Sequence, residues 1–301
     1  MGGKFIKKLD IKKNWMGYLL IAPAVIMVLA LSLYPLIRGI YLSFLDYNLV
    51  RPFDPSFNTF AGLKNYKEIF QNDIFIQSIG NTLKWTAVNV VVQLIMAMLL
   101  ALALNRKLRG RGIYRTLVLV PWAVPAAIAA MTFTFLYNAN VGIINILAQK
   151  LGLITESVSW LGNVGPAFWC VVFVAIWKGI PFQMIFILAA LQGIPGDVYE
   201  SAQIDGAARW QTFWRITLPI IKEPVAISTI LNLIGIVSSF NTIWLMTGGG
   251  PLYSTEIIYT FAYREAFINH NFGTASAASV ILFIFMAVVS SVYLNMVRKK
   301  D

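Results

Sequence analysis

A chain of 301 residues with 58% apolar and 12% charged side chains has about half the charge of an ordinary soluble domain. With a mean hydropathy of +0.70, it is composed for a bilayer. The formal charge of +11 sits at the ends of the apolar runs, which argues against a nucleic-acid partner, and the single Cys170 and single His270 argue against a disulfide framework, a His/Cys metal site or a Cys-His nucleophile.

A helix needs about 20 apolar residues to cross the hydrocarbon core, because each residue rises 1.5 Å and no backbone group may go unpaired in lipid. Six stretches meet that length, and they predict an all-α polytopic membrane protein. They run from Trp15 to Ile37, Thr82 to Leu104, Ile113 to Tyr137, Pro166 to Leu191, Pro224 to Met246 and Thr274 to Val297. The first is too long for a signal-peptide core and lacks an Ala-x-Ala-like site, so it is expected to stay as an anchor. Ile6 stands where a myristoylation signal needs Ser or Thr.

Cationic loops stay in the cytoplasm. If residues 1–14 and 298–301 are both cytoplasmic, the inner segments hold sixteen of the 24 Lys and Arg, including Lys4 to Lys13, Arg106 to Arg115, and Arg209, Arg215 and Lys222. Almost all the net charge is then a topology signal. On the outer side, Asn65 to Ile79 forms an amphipathic stretch whose Tyr66, Ile69, Phe70, Ile74 and Phe75 are expected at the membrane interface.

The inner segment between spans four and five, about residues 195–219, is the most specific part of the chain. Pro195 and Gly196 break span four, Asp197 can cap a new helix, and Glu200 follows three residues later. Ser201, Ala202, Ala207 and Ala208 give a small-residue surface, Gly206 permits a bend, and Trp210, Phe213, Trp214 and Ile216 form a bulky second half that Pro219 ends. A helix lying on the membrane would be richer in Lys and Arg on its polar face, so this acidic, small-residue half reads as a docking element for protein.

The run Glu200-Ser201-Ala202-Gln203-Ile204-Asp205-Gly206-Ala207, with Phe213, Ile216, Leu218 and Pro219, resembles the "EAA" loop of permeases in binding-protein-dependent ABC importers. Ser201 departs from the usual Ala. Gly62 to Tyr66, Asn81-Thr82, Tyr114-Arg115 to Pro121, Pro125, Trp177 to Phe182, and Thr247 to Pro251 with Thr255 are similar to the sugar-importing branch, the first of two permeases in maltose-type and glycerol-phosphate-type systems. The resemblance covers almost all of the chain from about residue 15. It implies a type I importer permease of the cell inner membrane, working with a second permease, two cytoplasmic ATPases and an external solute-binding protein. It further implies a coupling role for Glu200, Ser201, Ala202, Asp205, Gly206, Ala207, Phe213 and Pro219. No Gly-x-x-x-x-Gly-Lys-Ser/Thr phosphate loop is present, so no cofactor is expected on this chain; ATP and Mg belong to the partner ATPase. The Gly248 to Gly250 cluster reads as a flexible turn.

Polar groups inside a span usually face a cavity or a partner, since a central Lys costs about 2.5 to 3.5 kcal/mol on insertion scales. Lys178 lies halfway along span four. Ser228, Asn232, Gly235, Ser239 and Thr242 recur at helical spacing in span five, on a face that can line a pathway. Lys178, Gly179, Phe182, Asn232, Gly235 and Ser239 are therefore the candidate pathway residues, with Phe182 and Trp177 suited to cover apolar sugar faces. Two alternatives stay open: the small residues can serve helix packing, and Lys178 can pair with a carbonyl or a partner acid. Asn89 and Gln93 read as interhelical hydrogen bonds. A secondary carrier driven by an ion gradient is the rival, but all 13 acids fall outside the span interiors, and the second half does not repeat the first.

Overall fold

The computed structural model describes residues 15–55, 57–106 and 109–298; the basic segment 1–14, Lys107 and the terminal Lys299 to Asp301 lie outside them. In chain order the helices are α1 (Trp15–Val28), α2 (Tyr34–Leu42), α3 (Lys64–Phe70), α4 (Asp73–Asn105), α5 (Arg111–Ala123), α6 (Ala126–Leu136) and α7 (Ile143–Lys150). There follow α8 (Val164–Gln192), α9 (Gly196–Ile204), α10 (Arg209–Thr212), α11 (Leu218–Val237), α12 (Phe240–Thr247), α13 (Ile258–Phe267) and α14 (Phe272–Arg298). Five long apolar helical stretches among the described residues can each cross a membrane, and the bent pair α5–α6, taken as one span, is long and apolar enough for a sixth crossing.

Two spans keep running through a proline by the same device. A proline lacks the N–H that its turn requires, and its ring collides with the carbonyl four residues back. Ahead of Pro35 and Pro219 stand single π turns, Leu29–Leu33 and Phe213–Thr217. In them the Tyr34 N–H reaches the Leu29 carbonyl and the Leu218 N–H reaches that of Phe213, five residues back. The widened turn makes room for the ring. Pro219 therefore does not end the loop, as its sequence position suggests; residues 209–217 are the foot of span five, which runs from Arg209 to Thr247 with a break at Ser238 and Ser239.

The third span is where the sequence expectation of one helix from Ile113 to Tyr137 fails. A residue before proline is pushed out of the helical region, and Val124, preceding Pro125, is extended at φ −70° and ψ 128°. Helices α5 and α6 consequently meet at 90°.

Helix α4 starts well before its apolar run because the Asn72 side chain caps it, accepting from the N–H groups of Ile74 at 2.9 Å and Phe75 at 3.3 Å. This also corrects the expected interfacial stretch. Ile69 and Phe75 are fully buried with Phe261, Ala277 and Ala278 of α13 and α14, so protein covers this part of the stretch, while Phe70 stays exposed. A two-residue hairpin, β1 (Leu45–Asp46) with β2 (Thr59–Phe60), sits nearby, tied down by the Asn65 amide donating to the Ser43 and Leu45 carbonyls.

The bundle is built around α4 and α8. Ala97 and Ala101 let the larger Met184, Ile187 and Leu188 approach closely, which is how spans associate when lipid removes the hydrophobic drive. Trp85 and Phe168 close the other end of this seam beside Ile236 and Ile243.

Candidate solute pathway and coupling helix

Four spans line an open cavity of about 300 Å³ whose walls include Lys178, Gly179, Phe182, Asn232, Gly235 and Ser239. All six candidate pathway residues thus meet at one place. The break between α5 and α6 sets part of its chemistry. Breaking a helix leaves its last carbonyls without intrahelical partners, and Lys178 Nζ donates to the carbonyls of Val124 at 2.5 Å and Trp122 at 3.4 Å. The cation also complements the negative end of α5. Within this chain Lys178 thus pairs with carbonyls, and it still lines the cavity. Trp177 turns away to pack against Phe133, and Trp85 and Trp122 supply the aromatic wall instead.

Behind the cavity runs a buried polar ladder across spans two, four and five. Asn232 Nδ2 donates to Gln93 Oε1 at 2.9 Å and Gln183 Oε1 at 3.1 Å. Gln93 Nε2 donates to Asn89 Oδ1 at 3.0 Å and to the Ala175 carbonyl at 3.2 Å, while Gln183 Nε2 donates to Thr229 Oγ1. Each such bond contributes about 0.6 kcal/mol in a bilayer, so together they fix register. Gly179 belongs to the same construction, since a Cβ there would collide with the Gln93 amide. Ser228 is spent inside its own helix, donating to the Val225 carbonyl. Span five breaks at Ser238 and Ser239, where Trp85 Nε1 donates to the Ile236 carbonyl at 2.9 Å.

The loop after span four folds as α9 and a tight reversal. Its N-cap is Pro195, with no side-chain bond, so neither Asp197 nor Glu200 caps it as the sequence suggests. Asp197 instead lies in the first turn, and Glu200 is exposed. The helix ends in a Schellman motif, with Gly206 N–H to the Gln203 carbonyl and Ala207 N–H to that of Ala202. Gly206 occupies the left-handed region at φ +72°, which other L residues rarely adopt, so it makes the bend. Ala202 is buried and faces this chain, which corrects its assignment to an outer docking surface. What α9 presents outward is Glu200, Ser201, Ile204 and Asp205, with Ile204 86% exposed. Phe213, half-buried, lies in the π turn of span five.

Residues 93–301 match the family described as the inner membrane component of binding-protein-dependent transport systems. The chain belongs to that family. It is 35% identical to the trehalose/maltose transport system permease MalF of Thermococcus litoralis, over 99% of both chains. It is 32% identical to the sulfoquinovosyl glycerol transport system permease SmoG of Agrobacterium fabrum, over 99% of this chain and 95% of that one. A chain of a bacterial alginate ABC transporter, solved with an alginate pentasaccharide-bound periplasmic protein, superposes with a TM-score of 0.83 at 28% identity, covering 96% of each chain. The protein is a membrane-embedded permease subunit of an ATP-driven importer and not itself an enzyme.

In this permease the Gly248 to Gly250 cluster is a fixed turn, not a loose one. Gly248 and Gly249 have φ +59° and +87°, and a Cβ on Gly249 would collide with the Glu256 carboxylate. Fully buried Glu256 pairs with Arg264 at 2.9 Å, and Arg264 Nη2 also donates to the Gly248 carbonyl at 2.6 Å. Burial pushes the Glu256 carboxyl above its ordinary range, and Arg264 pulls it back. The guanidinium also stacks on the rings of Trp244 and Tyr253. Sequence reasoning missed Glu256, Arg264 and Gln183, because eight to forty-nine residues separate each side chain from its partners. The Asn81-Thr82 pair was a visible signal: Asn81 Nδ2 donates to the Tyr253 and Glu256 carbonyls, and Thr82 Oγ1 accepts from Ile258 N–H.

Proposed function

We propose that this permease forms half of the membrane pathway for a sugar or oligosaccharide, handed over by an external solute-binding protein and drawn inward by ATP hydrolysis on two partner ATPases. A second, different permease supplies the other half of the wall. The chain itself binds no cofactor; ATP and Mg act on the ATPases. Both termini and α9 face the cytoplasm of a bacterial or archaeal cell, and the turn at Gly248 to Pro251 faces outward, an orientation supported by the concentration of Lys and Arg in the inner segments.

The observation that carries the reading is the cavity where Lys178, Asn232, Gly235 and Ser239 converge with Phe182 and Trp122. Donors and small polar groups suit sugar hydroxyls, and the rings suit apolar sugar faces. The relatives named for trehalose/maltose and sulfoquinovosyl glycerol support a glycosidic solute.

Helix α9 is the coupling element, with Glu200, Ser201 and Asp205 on its outer face, Ala202 and Ala207 seating it on the spans, and Gly206 setting its bend. Phe213 and Pro219 transmit its movement, because they belong to the continuous foot of span five. ATP-driven closure then moves α9 and spans four and five together. The test is reconstitution. Vesicles holding both permeases and the ATPases should accumulate solute only with ATP and loaded binding protein, whereas accumulation by this chain alone on an ion gradient would refute the proposal.

A further inference from the structure

A second cavity, of about 310 Å³, lies between α9 and the feet of α4 and span five. Arg106, at the end of α4, and Arg209, at the start of α10, both line it. Asn105 and Gln203 add neutral donors, Thr212 donates to the Ala208 carbonyl, and Leu102, Leu191 and Phe213 give apolar walls. No carboxylate lines it. Among the described residues, neither arginine has an ion-pair or side-chain hydrogen-bond partner.

Two arginines lining one cavity repel each other until an anion stands between them. Their planar forks match the paired oxygens of phosphate, and amides and hydroxyls satisfy the oxygens left over. Basic pockets between helices at the cytoplasmic membrane surface take phospholipid headgroups by this chemistry. We propose that the cavity beneath α9 binds a phosphate group, carried by an anionic phospholipid or by free phosphate. The bound group would touch the end of α4, α9 and the foot of span five at once, tying the coupling helix to both spans. That consequence rests on the role given to α9 above; the binding itself does not.

The test uses the assembled transporter, with both permeases and the ATPases, in phosphatidylcholine nanodiscs. Its thermal midpoint is followed while inorganic phosphate is titrated, and in parallel as phosphatidylglycerol replaces phosphatidylcholine. A saturable rise with phosphate identifies the free ion as source; a rise with phosphatidylglycerol alone identifies the headgroup. In either case R106Q/R209Q should need about a hundredfold more probe, because it removes two charge-assisted contacts each worth about a factor of ten or more. R106K and R209K keep the charge but lose the fork, so they should fall between wild type and the double variant even if the double variant assembles poorly. Lys150→Gln, at the opposite end of the bundle, should respond like wild type. No saturable rise with either probe, or equal responses in wild type and the Arg106 and Arg209 variants, would overturn the proposal. Uptake is not read, so failure of the transport reading leaves this result interpretable.

Discussion

The side-chain amide of Gln93 occupies the space that a Cβ on Gly179 would need. Span two can therefore reach across span four to Asn232 of span five only because residue 179 has no side chain. Gly179→Ala should break the ladder and cost about 1–3 kcal/mol by overpacking. Adding Gln93→Ala should restore part of the loss, since the two changes share one contact. Thermal midpoints of the purified transporter with each single and the double variant measure the coupling, and strict additivity would disprove it.

Lys178 joins two roles, holding the broken end of α5 and facing the cavity. Lys178→Leu strands the Trp122 and Val124 carbonyls and removes a donor from the wall; Asn232→Leu removes the ladder's central amide. Both should lower solute affinity at the site about tenfold or more. Retention of the ATPases should be unchanged, because α9 lies elsewhere. Uptake measured beside co-purification separates these effects, and normal uptake in both variants would show that the residues only pack.

The buried Glu256–Arg264 pair makes an asymmetric forecast. Removing one partner of such a pair costs about 3–5 kcal/mol, because the other charge is stranded. Arg264→Met should thus reduce the amount of folded permease sharply, and E256Q/R264M should recover much of it. Limited proteolysis near Gly248 to Tyr253 should be fast in the single variant and slow in the double.

Much of this arrangement is legible in the sequence. Asn232, Gly235, Ser239 and Thr242 recur at helical spacing, and that periodicity alone places them on the cavity wall, although the helix breaks at Ser238. The apolar runs mark the spans, since a bilayer demands length and little else. Partnerships across spans are not legible. Pro125 signals a break, but the lysine that holds the broken end is more than fifty residues away. Asp197 and Glu200 match a capping pattern, yet Pro195 already sets the backbone of the cap, and Ala202 sits on the inner side because the Schellman turn at Gly206 fixes how α9 lies. Pro219 looks like a terminator because nothing local announces that a π turn will absorb it.

The orientation has its own test. Reporters after residue 301 and within residues 106–111 should read cytoplasmic, and one near Asn140 should read external. Neutralising the basic residues from Arg106 to Arg115 should weaken that bias. An external C-terminus would move α9 away from any cytoplasmic ATPase.

Coupling through α9 is the central claim, and Glu200→Ala tests it most directly. Glu200 is exposed and caps nothing, so its loss leaves the fold intact; Gly206→Leu, by contrast, also strains a left-handed position. The measurement is ATP hydrolysis by the reconstituted transporter with and without loaded binding protein. The Glu200→Ala transporter should insert normally, retain its ATPases poorly or lose their stimulation, and lose uptake in proportion. Stimulated hydrolysis and uptake at wild-type levels would contradict the assignment of α9 as the element that couples ATP to transport.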